Sequence, residues 1–361
     1  MKYGKVNKMA KLIDVCKGEE HITALQKAIQ SSNINFLFGS GCSSPAIKTL
    51  GNIESDIEAK EKSGDLDAAL KLLKNFLVPF FDSMIRIKTK ALNDNDNKVL
   101  GNYSDFIKLI SQILYERKSS ILHKQVTIFT TNYDLYFELA FQSHRETLVV
   151  FDGFQKYSTF DNESPFSTTE YFNTIFNNGL IYNYQVEVPS MNLIKLHGSL
   201  NWKIKDGKIV NSIAYINSLD SKAKSTTNKD IKDFVDAFTL VLPQKNKFKE
   251  TIINQTYYDQ LRIFSNELDK ENTMLIAHGF SFADEHIFEI VKRALRNPTL
   301  LLIVFCYDLT TKTNMKEKFE IYNNVHIFYR ENEKLNFPGM TEILNKILPL
   351  YLQKSPGGKT V

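Results

Sequence analysis

The chain has 361 residues, 43% apolar and 24% charged, the profile of a soluble globular protein long enough for one large or two ordinary domains. Lys plus Arg number 45 against 41 Asp plus Glu, and a net charge of +4 on so long a chain gives no strong case for a nucleic-acid surface; it suits an anionic small molecule equally well. Three widely separated cysteines, Cys16, Cys42 and Cys306, exclude a fully paired disulfide framework and a Cys-x-x-Cys metal clamp, which points to a reducing cytoplasm. No apolar run approaches the ~18 residues of a membrane span. The first residues mix lysines with polar side chains and lack an apolar signal core.

Strand-like runs are predicted at residues 34 to 38, 126 to 130, 192 to 196, 273 to 277, 300 to 306 and 325 to 329, several of them apolar on both faces, as in a buried parallel sheet. Helical patterns lie between them, at 65 to 74 with Leu66, Ala69, Leu70 and Leu73 on one face, at 103 to 115 and at 284 to 295. The expected fold is therefore α/β, a Rossmann-like open parallel sheet with helices on both faces. Residues 1–361 are read as a single domain with insertions at about 50–120, 145–190 and 203–250; the last two look irregular and polar. Ser355-Pro356-Gly357-Gly358 opens an expected flexible tail, 355–361.

Four motifs follow predicted strands. The first is Gly39-Ser40-Gly41-Cys42-Ser43, where glycines let the backbone approach a phosphate and a following helix N-terminus supplies unpaired N–H groups. It lacks the third glycine of the dinucleotide fingerprint and the Lys-Ser/Thr of a P-loop, and it also suits a tight turn that binds nothing. The second is Thr131-Asn132-Tyr133-Asp134. If its backbone is extended, Asn132 and Asp134 point the same way, toward a ribose, a water or a carboxamide; the same pair also suits capping a helix near Leu135. In the third, His197 precedes Gly198 and Ser199 and can serve as a general base near neutral pH. The fourth is Gly279-Phe280-Ser281, after His278. Asp284-Glu285-His286 follows it and reads better as acids complementing a helix dipole than as a metal site.

In this order the motifs resemble the sirtuin superfamily, whose chain carries a Gly-Ala-Gly-x-Ser loop, a Gln-Asn-x-Asp element, a Leu-His-Gly element and a late Gly-Thr/Tyr-Ser turn. Protein-deacylating sirtuins also carry a four-cysteine zinc module and a Pro-x-Phe-Arg segment; this chain has no such cysteine set, and Pro45 is followed by Ala46-Ile47-Lys48. The wording Thr-Thr-Asn-Tyr-Asp, Leu-His-Gly-Ser-Leu-Asn-Trp and Gly-Phe-Ser-Phe-Ala-Asp-Glu-His-Ile looks like the bacterial sirtuin-like NAD hydrolases of anti-phage defence, relatives of HerA-paired proteins, the Thoeris effector and the larger defence-associated sirtuins.

The resemblance implies NAD as substrate, no metal, and hydrolysis of the nicotinamide–ribose bond. Gly39 to Ser43 would hold the pyrophosphate, with Thr131, Tyr133, Gly279, Phe280, Ser281 and Asp308 as further contacts. Asn132 would place water or the ribose, Asp134 would engage the carboxamide, and His197 would take a proton. It further implies a homo-oligomer docked to a HerA-type ATPase, with no membrane and with nucleic acid met only through that partner. Two competing readings are a protein deacylase or ADP-ribosyl transferase and a non-catalytic NAD or ADP-ribose sensor.

Overall fold

The computed structural model describes residues 9–349 apart from 18, 48–52, 118–120, 155–163, 180–183 and 242–250; the expected tail 355–361 lies outside the described residues. The strands in chain order are β1 Lys11–Asp14, β2 Asn33–Phe38, β3 Gln125–Thr130, β4 Val149–Phe151, β5 Ser164–Pro165, β6 Phe176–Asn178, β7 Gln185–Glu187, β8 Ser190–Lys195, β9 Trp202–Lys205, β10 Lys208–Asn211, β11 Thr273–His278, β12 Leu300–Phe305 and β13 Val325–Tyr329. The helices are α1 Glu20–Ser31, α2 Ile53–Lys62, α3 Leu66–Thr89, α4 Asp94–Tyr115, α5 Tyr136–Gln142, α6 Asp220–Lys224, α7 Asn228–Val235, α8 Thr251–Asp269, α9 Glu285–Ala294, α10 Leu309–Phe319 and α11 Phe337–Asn345.

Eight strands form one sheet in the order β1-β13-β12-β11-β2-β3-β8-β4, every pairing parallel. Side chains of successive strand residues enter opposite cores, as the period of two demands. Phe36, Phe38, Ile128, Met274 and Ile276 join a cluster with residues of α1, α3, α4, α5 and α11, while Leu37, Phe129, Leu275 and Ala277 join one with α8, α9 and α10. Helices thus cover both faces, which is why these strands read as continuous apolar runs. No helix of the described residues is long and apolar enough to cross a membrane.

From β2 the chain steps to β3 and β8 on one side; β11, β12 and β13 build outward on the other. The order reverses between β2 and β11, the kind of crevice at carboxyl strand ends where open α/β sheets bind ligands. Phe38, the last residue of β2, lies opposite both His278 and Thr130, and Thr130 lies opposite Lys195. All four motifs consequently leave adjacent strands at one level of one edge.

Three details differ from the sequence expectation. The α3 helix runs on to Thr89 through Pro79, because Leu77, Phe80, Phe81 and Met84 prolong its buried face. The segments expected to be irregular contain β4, which joins the main sheet, the small sheet β5-β10-β9, the pair β6-β7, and helices α6 and α7. Elements of two to eight residues are too short to display a period. Finally, no α-helix follows the first glycine motif directly: a 3₁₀ turn, Ser40–Ser43, ends before Pro45, which has no N–H to extend it.

Candidate functional site at the carboxyl ends of four adjacent strands

The first and fourth motifs pack backbone against backbone. Gly41 N–H donates to the Gly279 carbonyl at 3.1 Å and Gly39 N–H to the His278 carbonyl at 3.2 Å. A Cβ on Gly39 would stand 2.4 Å from the Gly279 oxygen, and one on Gly279, whose φ is +65°, would stand 2.8 Å from the Cys42 nitrogen. These glycines therefore serve loop-to-loop contact, where the sequence suggested openness to a phosphate. Cys42 N–H is also spent, on the Gly39 carbonyl at 3.1 Å. Ser40 is the exposed member of the loop, whereas Cys42 and Ser43 are buried. Burial, reinforced by nearby Asp134, pushes the Cys42 thiol well above its ordinary range.

The second motif closes onto the same loop. Asn132 donates through Nδ2 to the Gly39 carbonyl at 3.1 Å and to Ser43 Oγ at 3.2 Å, with the Tyr103 hydroxyl sharing those two protons at 3.4 Å. Ser43 in turn donates to Asp134 Oδ2 at 2.7 Å and lies 2.9 Å from the Tyr103 hydroxyl oxygen. Asn132 and Asp134 thus point the same way, as alternation predicts, and meet at Ser43. Tyr133, between them, points elsewhere: its hydroxyl donates to the Val241 carbonyl at 2.6 Å and its ring lies 6.5 Å from that of His197. Asn132 does not cap α5, whose start is joined by Asp134 Oδ1 accepting from Tyr136 N–H at 3.3 Å. Burial lifts the Asp134 carboxyl above its ordinary range against the opposing pull of Lys195 and Ser43.

Lys195 ends β8 with its ammonium 3% exposed and three partners: the Asp134 carbonyl, Ser199 Oγ at 3.0 Å and Glu138 Oε1 at 2.8 Å. All three donors of the ammonium are used, and they tie the second motif, α5 and the turn of the third into one unit. Two residues on, His197 presents Nε2 to Asp284 Oδ2 at 3.0 Å. The two atoms lie within charge-contact distance without the alignment of a hydrogen bond, so the contact becomes an ion pair only when the ring is protonated. Beside His197 lies a small cavity lined by Leu196, Trp202, Ile209, Val241, Tyr257 and Gln260. Gly198 follows at φ +83°, where a Cβ would meet the Thr239 carbonyl at 2.4 Å.

The remaining expected contacts are spread along the same edge. Thr131 is half-buried, its N–H bonded to the Phe38 carbonyl at 3.2 Å. Phe280 is half-buried against Phe282, and Ser281 is exposed. Asp308 follows β12, one strand beyond β11, and caps α10 by accepting from Thr311 N–H at 2.8 Å; that bond holds its carboxyl below the ordinary range. Asp284 is likewise the N-cap of α9, accepting from Ile287 N–H at 3.0 Å. Among the described residues no group of three His, Cys, Asp or Glu is placed to hold a metal.

With this geometry established, a family model for the SIR2-like domain matches residues 126–328, more than half of the chain. The chain belongs to the SIR2-like domain family. The matched stretch of the SIR2-like domain runs from β3 to β13 and so takes in Asn132, Asp134, His197 and Gly279, while the glycine loop at 39–43 precedes it and is tied to it by the contacts above. A solved structure of a Sir2 mutant with a p53 peptide and NAD is similar at 11% identity and a TM-score of 0.44, over 90% of this chain and 96% of that one. No match was found among curated protein sequences.

Sequence reading missed Tyr103, Lys195 and the pairing of Asp284 with His197. Tyr103 sits on a helix with no motif to mark it. Lys195 did carry a signal, a charged residue closing a strand whose six positions are all buried.

Proposed function

We propose that this SIR2-like protein is an NAD hydrolase. The observation that carries the reading is the convergence on one strand edge of the two glycine loops, the Asn132–Ser43–Asp134 hydrogen bonds and His197 with its carboxylate partner. Cleaving the nicotinamide–ribose bond builds positive charge on the sugar, so a catalyst must fix the phosphates and ribose and aim a nucleophile at the anomeric carbon. In this reading the exposed side of the loop at Ser40 meets the pyrophosphate, Asn132 and Asp134, buried beneath that loop, exchange their bonds to Ser43 for bonds to the ribose and carboxamide, and His197 takes a proton from water. The water oxygen bonds to the anomeric carbon as the bond to nicotinamide breaks and its electron pair returns to the ring nitrogen. Products are ADP-ribose, nicotinamide and a proton.

Water is favoured over an acyl-lysine acceptor because three cysteines cannot build a four-cysteine zinc module. The cellular role we propose is depletion of NAD in anti-phage defence, by a cytoplasmic homo-oligomer controlled by a HerA-type ATPase. Its support is the wording of the motifs, Thr-Thr-Asn-Tyr-Asp above all.

The test is nicotinamide release from NAD by the purified protein, with and without the product of the neighbouring gene, beside Asn132→Ala and His197→Ala. Turnover that falls about 100-fold in both variants is the expected result, the size typical of losing an acid–base group for His197 and of misplacing the reacting groups for Asn132. Label moving from NAD to protein would instead identify a transferase, and binding without turnover a sensor.

A further inference from the structure

Two carboxylates near the edge have different surroundings. Asp134 is sealed under the glycine loop; Asp284 lies at the mouth, its side chain 21% exposed beside a His197 side chain 15% exposed. Asp284 performs two tasks with two oxygens. Oδ1 caps α9 through the Ile287 N–H, and Oδ2 stands 3.0 Å from His197 Nε2. A capping carboxylate cannot wander, because its helix fixes its backbone and one of its oxygens. The helix is itself fixed, Ile287 and Val291 being wholly buried in the core beneath the sheet. Asp284 is thus a rigid negative charge beside an imidazole whose Nδ1 has no partner among the described residues.

We propose that Asp284 is the positioning residue for His197: it fixes the ring with Nε2 inward and Nδ1 toward the cleft and stabilises the imidazolium formed when Nδ1 accepts a proton. The inference rests on the NAD-hydrolase reading for what that proton is, but not for the pair itself. The groups that face the pair are Tyr257 from α8, Tyr133 from the second motif and His286 from α9. None of these is an anion at neutral pH, so the role falls to Asp284. Burial works against the Asp284 carboxylate, yet His197 and the Ile287 N–H hold it below its ordinary range.

The substitution that isolates the charge is Asp284→Asn, since asparagine caps a helix as well as aspartate does. We expect Asp284→Asn to melt near the wild-type temperature, to lose about tenfold or more in kcat with little change in KM, and to carry its acid limb at lower pH, because a carboxylate no longer favours the protonated ring. Asp284→Ala should lose the cap and melt lower as well. An independent readout needs no turnover: the Asp284 carboxyl, followed by NMR, should titrate at higher pH in His197→Gln than in wild type. A carboxyl titration unmoved by His197→Gln overturns the pair. So does an unchanged kcat and pH profile in Asp284→Asn where His197→Gln is inactive. If the wild type turns over no NAD, the hydrolase reading fails and the carboxyl titration alone decides the pair.

Discussion

Ser43 donates a 2.7 Å hydrogen bond to Asp134 across 91 residues of sequence. It makes the glycine loop and the second motif a single object, since the same hydroxyl accepts from Asn132. A hydroxyl has one proton, and giving it to Asp134 fixes the direction of every other bond at that oxygen.

The buried carboxylate has a consequence for stability. Asp134 titrates above its ordinary range because burial disfavours the charge. A carboxyl raised by folding favours the native state most below the unfolded-chain value, and that advantage fades as pH climbs through the folded value. Asp134→Asn should therefore gain in melting temperature relative to wild type as pH rises from 4 to 8, while nicotinamide release is lost. Parallel melting curves at all pH values would refute this.

Gly279→Ala forces a Cβ to within 2.8 Å of the Cys42 nitrogen at a φ of +65°. Both the strained backbone and the clash act at once, so we expect a loss of about 2 kcal/mol or more in urea unfolding. NAD affinity should fall with it, measured by calorimetry on the folded fraction.

Lys195→Met removes the cation from a buried pair and leaves Glu138 without its partner. The cost should be about 3 kcal/mol, the low end for such a pair because the Glu138 side chain remains 22% exposed. Lys195→Met combined with Glu138→Leu should recover most of that stability by chemical denaturation, but not the activity, since the ammonium also holds the Asp134 carbonyl and Ser199.

The three thiols should separate cleanly. Cys16 is exposed, Cys42 and Cys306 are buried, and burial pushes Cys306 up to about 12. A thiol reagent at pH 7.5 should label one cysteine quickly in the native protein and three after denaturation. Rapid native labelling of Cys42 would mean that the two glycine loops part in solution.

The six long strands were legible because each is an apolar run, four of them closed by a motif, and runs buried on both faces cannot be mistaken for surface. Their order in the sheet was not, since nothing in residues 33 to 38 announces that residues 273 to 278 lie beside them. Asn132 and Asp134 were legible as a pair, but the partner that joins them, Ser43, was read only as a phosphate contact. Lys195 and Asp284 stayed hidden because a buried lysine and a capping aspartate acquire meaning only from neighbours distant in sequence. Capping explained Asp284 well enough to conceal its second oxygen.

The contact between the glycine loops sets a schedule for synthesis. Cys42 reaches the His278 carbonyl over 236 residues, so the loop emerges from the ribosome long before the backbone it rests on exists. A chain halted between His197 and β11 carries Asn132 and His197 but no floor beneath its glycines. If the proposed NAD hydrolysis is the activity, completeness is its first safeguard: no fragment ending short of residue 279 can assemble the edge.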